Sequence, residues 1–586
     1  MKPRLARFGA FLVALLAAPV FAAQAEWIEE SNRHAQVLLD VTARYTPEFG
    51  SALGLEGYDD DVFDLKPQFL ERREADLAAA ARKLEQARAA ATDPRVRQDL
   101  DILIGAARER RETSQVNRRY LLPFFDVPQS IFAGFQNLIE ARIPKERQKE
   151  ALTRLRRYVG AEEGYEPITQ LARTRYEEAA TNRALLGPWV VEARQHLDNQ
   201  KRYMDGVEEL LKNSGLEGWQ KDMQALRRHV DEYADWVRST VIPNARKTNR
   251  LPPEVYARNL EAFGVKMDPR ELIDRASANY AQSRTEMQSL ARALAAQREW
   301  NDSDYREVIR ELKKERIPDD RLLELYTRRL EQIEGIVRRE RIVTLPDRDA
   351  VIRLATEAES AAQPAPHVDP PRLVGNTGEP AEFVLPTKNP NAKPGADMDD
   401  FNYDAIAWTL TAHEARPGHE LQFAAMLERG VSTARVVFAF NSANVEGWAL
   451  YAEAQMKEYL PIEGQIGVLQ LRMMREARAF LDPMLNLGMI QPDETKRFLM
   501  EEVMLSEPMA KQEVDRYTFN APGQATAYFY GYSKLNALRT KVEIVLPDRF
   551  EEQPYHDFII GQGLLPFDLL EKAVMEEFVP AQRKGA

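Results

Sequence analysis

The chain of 586 residues contains no cysteine. That one absence excludes disulfides, thiolate zinc fingers, iron–sulfur clusters, a cysteine nucleophile and a cysteine-linked lipid anchor. Histidine is nearly as scarce, with seven residues, at positions 34, 196, 229, 367, 413, 419 and 556. A metal site built on imidazole must draw on that short list. Basic residues are too few for a polyanion partner: 80 Lys+Arg face 92 Asp+Glu, for a net charge of −12. With no long basic tract either, nucleic acid is not an expected partner. No G-x-S-x-G nucleophile elbow, internal repeat or low-complexity tract occurs. Beyond the N-terminus no stretch approaches the roughly 18 apolar residues of a membrane span. What remains, 44% hydrophobic and 29% charged residues, is the composition of a folded soluble protein rather than a disordered one.

The N-terminus carries an address. Lys2, Arg4 and Arg7 precede an apolar run from Phe8 to Phe21, and Ala23-Gln24-Ala25 supplies a small-x-small site. These are the three parts of a secretory signal, so residues 1–25 are expected to be cleaved. The mature chain should then begin near Glu26 and work in the periplasm or outside the cell, without stable membrane insertion.

From residue 26 to about 353 the sequence reads as successive amphipathic helices, with segments 71–91, 146–158, 183–213, 219–240, 269–295 and 319–340 rich in helix formers. Asp268-Pro269 and Asp302 read as helix starts. The texture changes between 361 and 400, where eight prolines and three glycines exclude a helix and residues 381–385 form the best strand candidate. Helical texture resumes at Tyr403. The expected division is a signal peptide (1–25), an N-terminal helical region (26–360) and a catalytic helical region (361–586) that includes the Pro-rich segment 361–400. The fold class is mostly α.

The chemistry concentrates in residues 411–422, TAHEARPGHELQ. His413 and His419 supply imidazoles, and Glu414 a carboxylate able to activate water beside a metal. On a straight helix residues six apart are rotated by about 240° and about 9 Å apart along the axis, too far to share an ion. Pro417-Gly418 resolves this, because proline removes a helical hydrogen bond and clashes with the preceding turn. The helix is expected to kink or bulge there and return His419 toward His413. Residues 444–453, NVEGWALYAE, offer Glu446 or Glu453 as a third ligand, and Gly447 hints at close packing beside Glu446.

HEARPGHELQ, VEGWALYAE and the later RYTFNAPGQATAYFYGYSKL together resemble the bacterial DUF885 family, regarded as zinc metallopeptidases of gluzincin type. The resemblance covers most of the mature chain, including LPPEVYARNLEAFGVKMDPREL. It implies a large helical body with a central cleft and a small β element near the active site. It further implies one zinc ion per chain on His413, His419 and Glu446, with Glu414 as general base. Tyr528 is the leading oxyanion donor and Tyr532 the second. Arg516 would grip a substrate carboxylate. Glu453, Gln422 and Asp515 are candidates to support the histidines from behind. The strand at 381–385 would pair with substrate as an edge strand. The resulting expectation is an exported zinc peptidase acting on short peptides. A zinc amidase acting on cell-wall or other non-protein amides, or a non-catalytic helical scaffold, are the alternatives.

Overall fold

A computed structural model describes residues 26–584, apart from 140–142, 357–358, 361–362, 364, 377 and 387–397. The signal-peptide segment 1–25 lies outside the described residues. The protein is mostly α-helical, with one small sheet among the described residues.

The helices used below are α1 (Glu26–Tyr45), α2 (Phe69–Ala90), α3 (Pro94–Tyr120), α4 (Val127–Ile139), α5 (Ala151–Tyr158), α6 (Val190–Ser214), α7 (Gln220–Trp236), α8 (Pro269–Gln297), α9 (Tyr305–Lys314) and α10 (Leu322–Glu340). After the sheet come α11 (Asp404–Leu410), α12 (His419–Arg429), α13 (Ser442–Met456), α14 (Ile462–Asn486), α15 (Glu507–Asp515), α16 (Ala527–Val545) and α17 (Glu552–Gly561).

Local signals set several boundaries. Asp268 caps α8 by accepting from the Arg270 amide, with Pro269 in the first turn and Glu271 favourable to the helix dipole. The start expected at Asp302 falls two residues later: Asp304 caps α9, and Asp302 accepts from the Asp304 amide. The segment 183–213 becomes helical only at Val190, since Gly187-Pro188 delays the start. The segment 146–158 is two pieces, Lys145–Gln148 and α5, rather than one helix.

Three apolar cores result. One lies wholly within 62–242 and joins α4, α5, α6 and α7. The second packs α8, α9 and α10 against α11 and α14. The third joins α1, α2 and α3 to α12, α13, α16 and α17. Two of the three cores therefore draw on residues from both sides of position 360.

The sheet has strands β1 (Val351–Leu354), β2 (His367–Asp369) and β3 (Glu382–Leu385) in the order β1-β3-β2. Val351 pairs in parallel with Glu382, and His367 pairs antiparallel with Val384. This corrects the substrate-strand expectation. The predicted strand forms, but β3 is central and both its edges are already hydrogen-bonded, so it cannot accept a further strand. The strand β1 also falls inside the stretch read as helical up to residue 353.

Candidate metal centre

The site is built where α11 fails. Its backbone widens into a π-turn over Thr411–Ala415, then leaves the helix at Arg416 (φ −125°, ψ 134°). A cis Arg416–Pro417 bond and Gly418 follow, and α12 starts afresh at His419. The break is thus complete, a stronger distortion than a kink, and its cause is the Pro-Gly pair. Gly418 is required by space: a Cβ there would lie 1.8 Å from the His413 carbonyl oxygen. Buried Arg416 ties the break down by donating to Glu420 and Glu334, each at 2.7 Å, and to the Arg348 carbonyl at 2.5 Å. The Trp448 indole donates to the Pro417 carbonyl at 3.0 Å, locking the break onto α13.

The consequence is that two histidines six residues apart face each other, with ring centroids 4.8 Å apart and planes at 82°. Glu446 arrives from α13. Its Oε2 lies 3.3 Å from His419 Nε2 and 3.7 Å from His413 Nε2. One ligand atom from each residue lies within 4.8 Å of the other two. Donors about 2.0–2.1 Å from a tetrahedral ion stand about 3.4 Å from one another, so this spacing suits an imidazole-binding divalent ion such as zinc. Glu446 Oε2 is buried and accepts no hydrogen bond. An orphaned carboxylate oxygen is costly to bury, and a cation at this point would offset that cost. The donor set therefore fits the metal expected, and of the two candidate glutamates it is Glu446, not Glu453, whose carboxylate lies within the group that could hold it.

Glu446 reaches the histidines because α13 and α16 cross almost backbone to backbone. A Cβ on Gly447 would meet Gly531 at 2.6 Å, and one on Gly531 would meet the Ala443 carbonyl at 1.8 Å. The close packing expected beside Glu446 is therefore present.

Glu453, two turns along α13, holds His413 from behind. Its Oε1 lies 2.6 Å from His413 Nδ1, a close contact off the hydrogen-bond axis. Thr409 Oγ1 donates to its other oxygen at 2.6 Å. Burial pushes this carboxyl up, but Arg475, His413 and Thr409 outweigh burial and hold it below its ordinary range. Glu453 thus fills the supporting role for which three residues were candidates. Gln422 instead donates to Asn444, and Asp515 pairs with Lys511.

Glu414 lies beside the donors, with Oε1 4.0 Å from His413 Nε2. Burial pushes its carboxyl up to about 8, with His419 opposing and Glu446 adding to the shift. For Glu446 itself burial acts upward, yet the two imidazoles hold it well below the ordinary carboxylate range.

Tyr528 on α16 is brought to the site. Its ring stacks near His413, with centroids 6.3 Å apart and planes 12° apart. Burial and Glu446 raise its phenol, while Arg516, Arg478 and Arg475 pull it back. Tyr532, one turn on, carries Arg472 5.5 Å over its ring instead. Arg478 stands 4.5 Å over the Tyr528 ring and Arg475 5.9 Å. These two arginines escaped the sequence reading. A signal was present: LRMMREARAF places arginines three apart in an otherwise apolar helix, where buried cations need a reason.

Comparisons with known proteins agree with this fold. A family described as "Bacterial protein of unknown function (DUF885)" matches residues 47–574. A solved structure from Shewanella oneidensis, titled a "putative lipoprotein of unknown function", superposes with a TM-score of 0.70 at 18% identity, covering 94% of this chain and 100% of that one. A second, a "putative lipoprotein" from Colwellia psychrerythraea, gives a TM-score of 0.77 at 17% identity with the same coverage, 94% and 100%. No curated protein matches the sequence.

Proposed function

This chain belongs to the DUF885 family, and from that premise we propose that it is an exported zinc-dependent hydrolase that cleaves short peptides. The observation that carries the reading is the convergence of His413, His419 and Glu446 with an orphaned carboxylate oxygen at their centre. Zinc held there supplies Lewis acidity for amide hydrolysis.

The protein's own residues divide the remaining work. Glu414 takes a proton from the attacking water and returns it to the leaving amine. Burial raises its proton affinity above that of an exposed glutamate, and a zinc ion beside it would pull in the opposite direction and keep it ionised to accept the proton. Glu453 fixes the orientation of the His413 ring. Tyr528 offers its hydroxyl to the negative charge that develops on the carbonyl oxygen. The export assignment draws support from the N-terminal signal pattern and from the lipoprotein titles of the two structural neighbours. Short peptides are favoured because the reacting groups are buried: His413 keeps 3% of its side chain accessible and Glu446 17%.

The test is zinc content and peptide hydrolysis on the chain from Glu26 onward, with Glu414→Gln alongside. About one zinc per chain is expected in both proteins, with cleavage reduced by about 10²-fold or more in the variant. Zinc without cleavage of any peptide would move the substrate to a non-protein amide. No zinc uptake from supplied metal would leave a helical scaffold.

A further inference from the structure

Two arginines beside the last turn of α1 stand without a carboxylate. Arg73 on α2 donates no hydrogen bond and joins no ion pair among the described residues, and its Nε is buried without a partner. Arg110 on α3 donates once, to the Thr42 hydroxyl at 2.7 Å, and otherwise lies over the Phe438 ring, 5.0 Å from its centroid. Both arginines are half-buried. The acids of this neighbourhood are already engaged. Glu74 accepts from Ser114 and Arg118, Glu109 pairs with Arg258, Asp76 is shared by Arg44 and Tyr45, and Asp64 holds Arg72 with both oxygens. The carbonyl of Thr42 is taken by the Thr46 amide and that of Tyr45 by the Asp64 amide, so neither arginine caps the helix. Burial disfavours both charges. Glu74 and Tyr45 offset part of that for Arg73, and Glu109 part of it for Arg110, whose charge the nearby Arg73 opposes in turn.

Guanidinium groups taken out of water are normally paired, and two that stand close enough to repel call for a shared anion. The shape of the donors narrows its chemistry. A planar fork takes two oxygens, so one arginine exhausts a carboxylate. A tetrahedral phosphate has oxygens for both forks and a second negative charge to match the second cation. We infer that Arg73 and Arg110 form a receptor for a phosphate dianion, either the free ion or the phosphate group of a larger ligand. The site is built on α1, α2 and α3 rather than on the elements that carry His413, His419 and Glu446. It therefore stands or falls independently of the hydrolase reading.

The experiment is a calorimetric titration of the zinc-supplied chain from Glu26 onward, freed of excess metal, with inorganic phosphate, glycerol 3-phosphate and acetate. One phosphate per chain is expected, with acetate at least about tenfold weaker. Arg73→Gln and Arg110→Gln should each weaken phosphate by about tenfold or more. The two lysine variants, which keep the charge without the fork, should weaken it less. The phosphate-free thermal midpoint of Arg73→Gln should not fall, because that side chain has no bond to lose. A midpoint that falls while phosphate still binds makes Arg73 structural and overturns the inference. No phosphate uptake overturns it too, as does uptake that these variants leave unchanged or that Arg516→Gln removes instead. Acetate binding as tightly as phosphate has the same consequence. Glycerol 3-phosphate matching phosphate assigns the site to the phosphate group of a larger ligand, and its rejection assigns the site to the free ion.

Discussion

Glu453 illustrates how much a single side chain with no accessible surface can decide. It bridges Thr409, His413 and Arg475, so it sets both the tilt of an imidazole and the charge balance behind it. Replacing it with glutamine keeps the shape but removes the charge that His413 Nδ1 faces. Zinc affinity of Glu453→Gln, read by competition with a chromophoric chelator, should fall about 10–100-fold with the helical circular dichroism unchanged. An unchanged affinity would mean that the His413 ring is fixed by packing alone. At this scale the sequence was informative where types are rare. With seven histidines, a His-Glu pair followed by a second histidine stands out. It was uninformative where pairing decides the role. That Arg516 reaches Glu513 only at 3.8 Å depends on Arg478 having filled that carboxylate from 35 residues away in the chain, and no local pattern records that.

Among the elements, two of the places where glycine is needed are where helices are forced together. Gly418 lets the start of α12 touch the end of the π-turn, and Gly531 lets α16 lie on α13. In Gly531→Ala the added methyl meets backbone rather than a movable side chain. Overpacking of this kind costs about 1–3 kcal/mol, and here it also pushes Glu446 away from its histidines. The thermal midpoint should drop, and zinc affinity should drop with it. A loss of stability with zinc affinity intact would show that Glu446 follows the histidines rather than the helix. The break in the HEARPGH segment was legible because proline chemistry is local: the missing donor and the ring clash need no tertiary information. Strand order was not legible. The short, mostly apolar run at 381–385 between Pro380 and Pro386 predicts a strand, but its central position arises from β1 and β2, whose pairing is set by register across sequence separations of 13 to 31 residues. The only edges available to an extended ligand in this sheet belong to β1 and β2, and β2 packs beside the π-turn that carries His413.

For the whole molecule, the mostly helical class and the succession of helices followed from composition and periodicity, while the way the cores are shared did not. Two of the three cores recruit helices from both ends of the chain, and such contacts leave no trace in any one segment. One buried acid shows what this sharing entails. Asp482 on α14 accepts from the Gly523 amide with both oxygens, at 2.9 and 3.1 Å, and from the Tyr256 hydroxyl at 3.1 Å. It thereby ties the N-terminal half to the PGQ segment that leads into Tyr528. Burial pushes its carboxyl up to about 8, against the pull of those donors. The unfolded chain ionises near 3.8, so between about pH 4 and 8 the folded protein holds a proton that the unfolded one has released. Stability from this group is complete below the unfolded value and is lost as pH rises through the folded one. His556 acts in the opposite sense at the acid end: burial pushes it down to about 4, so folding loses ground as pH falls below 6.5. The thermal midpoint, measured with a chelator present so that metal binding adds no pH dependence of its own, should therefore fall between pH 6 and 9. In Asp482→Asn, which cannot ionise, that fall should be clearly smaller. Equal falls in the two proteins would place the alkaline sensitivity in other groups, Glu414 first and Glu476 next, whose carboxyls burial pushes up to about 8 and about 7.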